Sequence, residues 1–308
     1  LRNTLFHQQA TLLLDILPVV FRDKRFAIKG GTDINFFIRN VPRLSVDIDL
    51  TWLPMEDHET AIGNIDRALR LLSLEIERIF PTVNILPGRI SKTEYLNRLI
   101  VRKDNVRIKI EPNLVFRGTV YPVVEKMLTQ QAQDLFKKAV RVQTLSSAEV
   151  YAGKICAALD RQHPRDLFDI KLLFENEGFT DSIKKAFIVY LISHNRPIVE
   201  LLNPNRLDLG KTFELEFRGM AFEPVSLTQL IETRERLISV INRSLTIDEK
   251  RFIFSVKQGQ PDWKRFPLEH IRDLPAVQWK LYNIRRMGKD KHRRALEKLA
   301  AFLEHGTV

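Results

Sequence analysis

Hydrophobic and polar positions alternate from Ser45 to Trp52: Val46, Ile48, Leu50 and Trp52 fall on one side, Ser45, Asp47, Asp49 and Thr51 on the other. This period of two marks a strand with one face in a core. Val106–Glu111 repeats it, with Val106, Ile108 and Ile110 set against Arg107, Lys109 and Glu111. Around these strands the pattern predicts a helix from Leu5 to Phe21, a short strand Phe26–Lys29, a helix after Gly31, a long helix from Asp57 to Ile79, and strands near Val83 and over Tyr95–Arg102. Lys103, Asp104 and Asn105 read as the hairpin turn into Val106–Glu111. From about residue 145 the pattern becomes helix upon helix. Ser146 with Glu149, Ser226 with Gln229 and Thr246 with Glu249 have the spacing of N-terminal caps, and Leu145 with Val150 that of a hydrophobic staple. Strands first and helices afterwards argue against a doubly wound sheet and predict an α+β chain. It would have a mixed sheet with flanking helices over residues 1–145 and a mostly helical domain over 146–308.

The length of 308 residues suits two domains, and 44% hydrophobic with 28% charged residues is the composition of a globular chain. The apolar stretch from Leu12 to Phe21 is interrupted by Asp15 and Pro18 and falls short of the ~20 residues a bilayer requires. Cys156 is the single cysteine, so no intramolecular disulfide can form; it is expected to be a small buried side chain and the protein to be cytoplasmic, with no membrane partner. Lys and Arg outnumber Asp and Glu by 49 to 38, a formal charge of +11, which favours a polyanionic partner. Much of the excess lies in Lys280, Arg285, Arg286, Lys289, Lys291, Arg293, Arg294 and Lys298, opposed only by Asp290 and Glu297. That run is either a solvated helix face or a surface for nucleic-acid phosphates or an acidic protein.

Candidate chemistry begins on the acidic strand. Residues i and i+2 of a strand lie about 6.5 Å apart, so the carboxylates of Asp47 and Asp49 can converge on divalent cations about 4 Å apart, and such hard oxygen donors suit Mg²⁺ or Mn²⁺. A lone Asp-x-Asp can also simply face water. Upstream, Gly30, Gly31 and Thr32 stand between an apolar strand and a helical run, where backbone N–H groups and a hydroxyl can meet phosphate oxygens. The segment is not a Walker loop. Phosphate donors on one element and paired carboxylates on the next are the two parts of a nucleotidyl-transfer site. Glu111 can lie beside Asp47 and Asp49 if the two strands are neighbours; otherwise it is a surface glutamate paired with Lys109 or Arg107. Ser45 is in phase with the aspartates, as a plain strand hydroxyl or an acceptor in self-modification. On the helix opened by Ser146, Lys154 and Arg161 are about 10.5 Å apart along one face with Ala157 and Ala158 between them, either a triphosphate cradle or cations in water. His163 reads as a cap, Pro164 as a first-turn proline, and Asp166 as an acid favoured by the helix dipole, with Asp169 three residues on.

These segments resemble the AbiEii/AbiGii toxin family of nucleotidyltransferases, within the DNA polymerase β-like superfamily. The likeness is carried by Ile28–Thr32, Arg43–Leu50, Ile108–Glu111, the Gly153–Asp169 block, and the late Leu274-Pro275-Ala276, Trp279-Lys280-Leu281 and Asn283. It covers nearly the whole chain. Thr32 stands where the superfamily prefers serine, Leu44 where phenylalanine is common, and Asp33 where a small apolar residue is usual, so a charge at the mouth of the phosphate turn would weaken nucleotide binding. The resemblance implies an NTP-dependent, Mg²⁺-requiring transferase whose helical domain completes a nucleotide cleft. Asp47, Asp49 and Glu111 would form its metal set, Gly30, Gly31, Thr32, Ser45, Lys154 and Arg161 would bind nucleotide, and Asp166 and Asp169 would join Asp47, Asp49, Glu111 and Lys154 as catalytic residues. It implies a toxin of a toxin–antitoxin or phage-defence system, restrained by a cognate antitoxin, often a winged-helix regulator, and acting on an RNA such as tRNA. A small-molecule nucleotidyltransferase and a non-catalytic nucleotide- or RNA-binding module are the alternatives.

Overall fold

A computed structural model describes residues 4–305. One compact unit comprises the chain to Val150 together with Gly219–Pro224; the other comprises Tyr151–Arg218 and the chain from Val225 onward.

The first unit is built on a seven-stranded mixed sheet in the order β3-β4-β5-β2-β1-β7-β6, from β1 Phe26–Lys29, β2 Asp47–Trp52, β3 Asn84–Arg89, β4 Leu96–Lys103, β5 Val106–Asn113, β6 Val124–Met127 and β7 Arg141–Thr144. The expected strands are all present, and Asp104-Asn105 makes the β4–β5 turn with Asp104 at a φ of 53°. The pattern gave no sign of β6, β7 or the intervening helix α4 (Gln130–Phe136); β6 and β7 are only four residues long. Helices α1 (Leu5–Val20) and α3 (His58–Ile79) pack on the sheet. The core they enclose takes Ile48, Leu50 and Trp52 from β2 and Ile108 and Ile110 from β5, whereas Val46 is only half-buried. Phe26 meets the Trp52 ring edge-on at 5.1 Å between centroids. The segment 219–224 joins this unit by backbone pairing: Leu44 donates to Met220, Phe222 donates to Pro42, and Arg43 bridges to Ala221.

The second unit is helical: the body of α5 (Ser147–Asp160), then α6 (Pro164–Glu175), α7 (Asp181–Ser193), α8 (Ile198–Leu202), α9 (Gly210–Glu216), α10 (Leu227–Ser244), α11 (Ile247–Gln258), α12 (Pro275–Arg285) and α13 (Lys289–His305). Ser226 with Gln229 and Thr246 with Glu249 form complete capping boxes. A Cβ at Gly153 would stand 3.2 Å from the Tyr190 ring, so the glycine lets α5 lie against α7. Cys156 is buried, and burial pushes its thiol well above the ordinary range. No described helix is long and apolar enough to cross a membrane.

Ser146 caps α5 by accepting from the Glu149 N–H, but the Glu149 carboxylate does not close the box. It is fully buried and accepts from the Val120 and Tyr121 N–H groups at 3.0 and 3.3 Å. Glu149→Ala would strand those donors, and donors to a charged group are costly to leave unpaired. The variant is expected to lose roughly 2–3 kcal/mol of stability in urea unfolding, whereas Glu149→Gln, which can still accept, should lose less.

Candidate active site

The site in the first unit follows from strand register. β2 runs parallel to β5 with Asp47 beside Lys109 and Asp49 beside Glu111. It runs antiparallel to β1 with Lys29 beside Asp49. Because the side-chain period of a strand is two, one register places Asp47, Asp49, Lys109 and Glu111 on the same face, opposite the Ile48, Leu50 and Trp52 core. Glu111 is therefore both things the sequence allowed: it neighbours the acidic strand, and it accepts a salt bridge from Lys109 Nζ at 2.7 Å. Burial works against the Lys109 charge, but its bond to Glu111 and the negative fields of Asp47, Glu111 and Asp49 outweigh it and raise its pKa.

The turn after β1 closes against this row. Gly30, at a φ of +75°, opens the helical run through α2 (Gly30–Asp33) and the π-helical turn Ile34–Ile38. A Cβ on Gly30 would lie 2.7 Å from Asp49 Oδ2, and one on Gly31 would lie 2.8 Å from an Arg43 guanidinium nitrogen and 3.2 Å from Ser45 Oγ. Gly30 is required by its backbone conformation and lies close to Asp49, while Gly31 leaves room for the Arg43 guanidinium and the Ser45 hydroxyl. The first N–H groups of a helix have no intrahelical carbonyl, so this turn brings backbone donors beside the carboxylates. Thr32 is buried, and its hydroxyl bonds Ser45 Oγ at 3.0 Å and the Asp47 carbonyl at 2.5 Å. Thr32 and Ser45 therefore tie the turn to the acidic strand.

Arg43 and Lys109 also stand at this site, although the sequence marks Lys109 only as a possible partner of Glu111 and Arg43 only as the start of the Arg43–Leu50 segment. Each was in phase: Arg43 continues the polar row Ser45, Asp47, Asp49 upstream, and Lys109 precedes Glu111 by two. Arg43 is 3% exposed and donates to the Leu44 carbonyl at 3.1 Å.

Asp33 does not stand at the mouth of the turn. It is fully buried, with Lys126 Nζ 3.5 Å away. Burial pushes its carboxyl up to about 7 against the opposing pull of Lys126.

Lys154, Arg161, Asp166 and Asp169 come together in the second unit. Lys154 is not on an open helix face: it is 7% exposed, with Nζ 2.9 Å from Asp166 Oδ1 and 3.1 Å from Asp169 Oδ2. Arg161 Nε binds the other Asp166 oxygen at 2.6 Å. Burial alone would raise the Asp166 pKa, but the Lys154 and Arg161 charges hold it well below the usual carboxylate range. His163 caps α6, its Nδ1 accepting from the Arg165 N–H, with Pro164 in the first turn.

Asp47, Asp49 and Glu111 offer hard anionic oxygens, and Lys109 shows that their row already attracts a cation, which fits the chemistry of Mg²⁺ or Mn²⁺. Among the described residues, no three His, Cys, Asp or Glu side chains converge as a ready ligand set.

A mixed sheet bearing an acidic row beside a glycine turn has the parts of a nucleotidyltransferase. The profile of the nucleotidyl transferase AbiEii toxin family, of type IV toxin–antitoxin systems, matches residues 11–283, and the chain belongs to that family. Among solved structures it is similar to MenT4, a nucleotidyltransferase toxin from Mycobacterium tuberculosis H37Rv, at a TM-score of 0.60 and 16% identity, over 91% of this chain and 93% of that one. That likeness shows the fold. No curated protein matches the chain.

Two outcomes follow from the buried charges. Lys154→Ala leaves Asp166 and Asp169 without their shared cation and should cost about 3–5 kcal/mol in urea unfolding. Arg161→Ala should cost less, since the Arg161 side chain is 58% exposed and Lys154 would still neutralise Asp166. Asp33 adds a pH dependence. Its folded-state pKa lies above its unfolded value near 3.8, so folding takes up a proton between about pH 4 and 7. Its contribution to stability therefore falls as pH rises through that window, by up to about 1.4 kcal/mol per unit. Unfolding at pH 5 and pH 8 should show a smaller loss for Asp33→Asn than for the wild type.

Proposed function

We propose that this nucleotidyltransferase moves a nucleotidyl group from an NTP to a hydroxyl of an RNA acceptor, such as a tRNA, and acts as a toxin in phage defence by abortive infection. The observation that carries the reading is the single row of Asp47, Asp49 and Glu111 laid against the Gly30–Gly31 turn. In this reaction the acceptor oxygen attacks the α-phosphorus, the bond to the bridging oxygen breaks, and pyrophosphate leaves. Glu111 accepts the hydroxyl proton once its bond to Lys109 loosens. Backbone N–H groups of Gly30 and Gly31 hold phosphate oxygens, while Thr32 and Ser45 keep the turn in register with Asp47. Asp47 and Asp49, with Glu111, would hold Mg²⁺, which supplies positive charge to the developing phosphate negative charge. Lys154 and Arg161, held by Asp166 and Asp169, are the nucleotide-binding cations proposed for the second unit.

The exposed cations of α12 and α13 favour a polynucleotide over a small-molecule acceptor. Arg285, Arg286, Lys289, Lys291, Arg293, Arg294 and Lys298 are all exposed. Lys280 drops out of this surface: it donates to the His194 and Arg196 carbonyls, and burial pushes its pKa down to about 8. A cognate antitoxin, of the kind implied by the family, is the protein partner.

The test is transfer of label from each α-³²P-NTP to tRNA in the presence of Mg²⁺. Asp47→Asn and Asp49→Asn, at half-exposed positions, should keep their far-ultraviolet circular dichroism and melting temperature. Their transfer rate should fall roughly 10³-fold or more, the scale of several kcal/mol of lost charge stabilisation. Near-normal transfer by either variant would remove the acidic row from the site.

A further inference from the structure

A cavity of about 250 Å³ in the second unit is lined by Lys257, Lys291, Arg294 and Lys298, with Glu200 as the one acid and Ile198 and Leu299 among its apolar walls. Its inner cation has an unusual environment. Lys257 is 7% exposed, and its Nζ meets the Met287 thioether at 3.9 Å. No carboxylate of the described residues lies within salt-bridge distance of Lys257, whereas its backbone carbonyl contacts His292 Nε2 at 2.7 Å and so ties α11 to α13. Burial and the neighbouring Lys291 both lower its pKa.

Desolvating an ammonium and surrounding it with like charge is unfavourable, and buried cations are ordinarily paired. The last turn of α11 gives Lys257 some help from the helix dipole, but that does not account for three more cations converging on the same hollow. Glu200 cannot offset four cations, and it shares its charge with Arg196 at 3.8 Å. What would relieve this arrangement is a compact polyanionic group with oxygen acceptors on several sides. One buried ammonium, two exposed ones and a forked guanidinium are the donors that bind such a group.

We propose that this cavity is a phosphate seat, separate from the row of Asp47, Asp49 and Glu111. The seat itself does not depend on the RNA-acceptor reading; only the choice of a polynucleotide phosphodiester as the source of the phosphate does. That choice is favoured by α12 in the same unit, where Trp279 and Tyr282 are 52% and 47% exposed, stack at 5.5 Å, and carry the Arg286 guanidinium 5.1 Å above the Tyr282 ring. Exposed stacked rings with an arginine are a platform for unpaired bases.

The experiment uses the full chain with two probes. Inorganic phosphate is titrated against chloride at equal ionic strength while the melting temperature is followed, and anisotropy reports binding of a fluorescent single-stranded oligoribonucleotide. Phosphate should raise the wild-type melting temperature beyond the chloride control by mass action. Lys257→Met, which removes the charge and keeps the length, should fold with an equal or higher basal melting temperature and bind phosphate at least tenfold more weakly. If that buried variant fails to fold, Arg294→Ala, at an exposed position, decides by a threefold or greater loss. Oligoribonucleotide affinity falling in parallel, with the salt slope flattened by roughly 0.7 for one lost contact, makes the phosphodiester the source. Phosphate binding lost with oligoribonucleotide binding unchanged supports the seat and makes free phosphate its source. The proposal is overturned if phosphate acts no differently from chloride and neither substitution affects either probe. It is equally overturned if the substitutions weaken binding of a polyglutamate peptide alone, since the hollow would then receive a protein carboxylate. Both probes report binding directly, so absence of nucleotidyl transfer would leave the outcome readable.

Discussion

The parallel pairing of β2 with β5 is the constraint on which the first unit's chemistry depends. With Asp49 beside Glu111 and Asp47 beside Lys109, three carboxylates and an ammonium share one face of the sheet. A slip of β2 by one residue would turn Asp47 and Asp49 toward the core and bring Ile48 and Leu50 to the surface. Burial of Ile48, Leu50, Trp52, Ile108 and Ile110 therefore fixes the register and, with it, the acidic row. Gly30 is the second half of the same constraint. Its lack of a side chain lets the turn come within contact of Asp49, so the backbone of the turn and the carboxylates are set by one packing arrangement.

Charge is handled in opposite ways in three places. Lys154, Asp166 and Asp169 are buried and, with the more exposed Arg161, form an internally neutral group, which gives it structural weight whatever its part in the reaction. The acidic row is half-exposed, and Lys109 pairs with Glu111 along it. Around Lys257 the imbalance is positive. A buried, balanced network holds helices together, whereas like charges gathered at one hollow favour binding of the opposite charge.

Much of this was legible in the sequence because strand alternation and capping are local. The rows of β2 and β5, the Gly30–Gly31 turn, the Ser226 and Thr246 caps and the His163-Pro164 helix start all have signatures within a few residues. Features that depend on distant partners were not legible. Glu149 has the spacing of a capping box, yet it serves the Val120 and Tyr121 N–H groups about thirty residues upstream. Lys154 looks like a surface cation until α6 folds back with two aspartates. Asp33 follows a glycine turn and could point outward, but the helical run directs it inward toward Lys126. β6 and β7 are too short to show a period, and nothing local marks residues 219–224 as pairing with the strand-like segment at Arg43.

The central claim is that the glycine turn and the acidic row form one site for an NTP and its divalent cation. It is tested most directly by Mn²⁺ binding, followed by electron paramagnetic resonance with a non-hydrolysable NTP, in wild type and in Gly30→Ala. That substitution removes no ligand and no charge; it places a methyl group 2.7 Å from Asp49 Oδ2. The account predicts that the folded variant binds Mn²⁺ and nucleotide together at least tenfold more weakly than wild type. Unchanged binding of both by folded Gly30→Ala would contradict it.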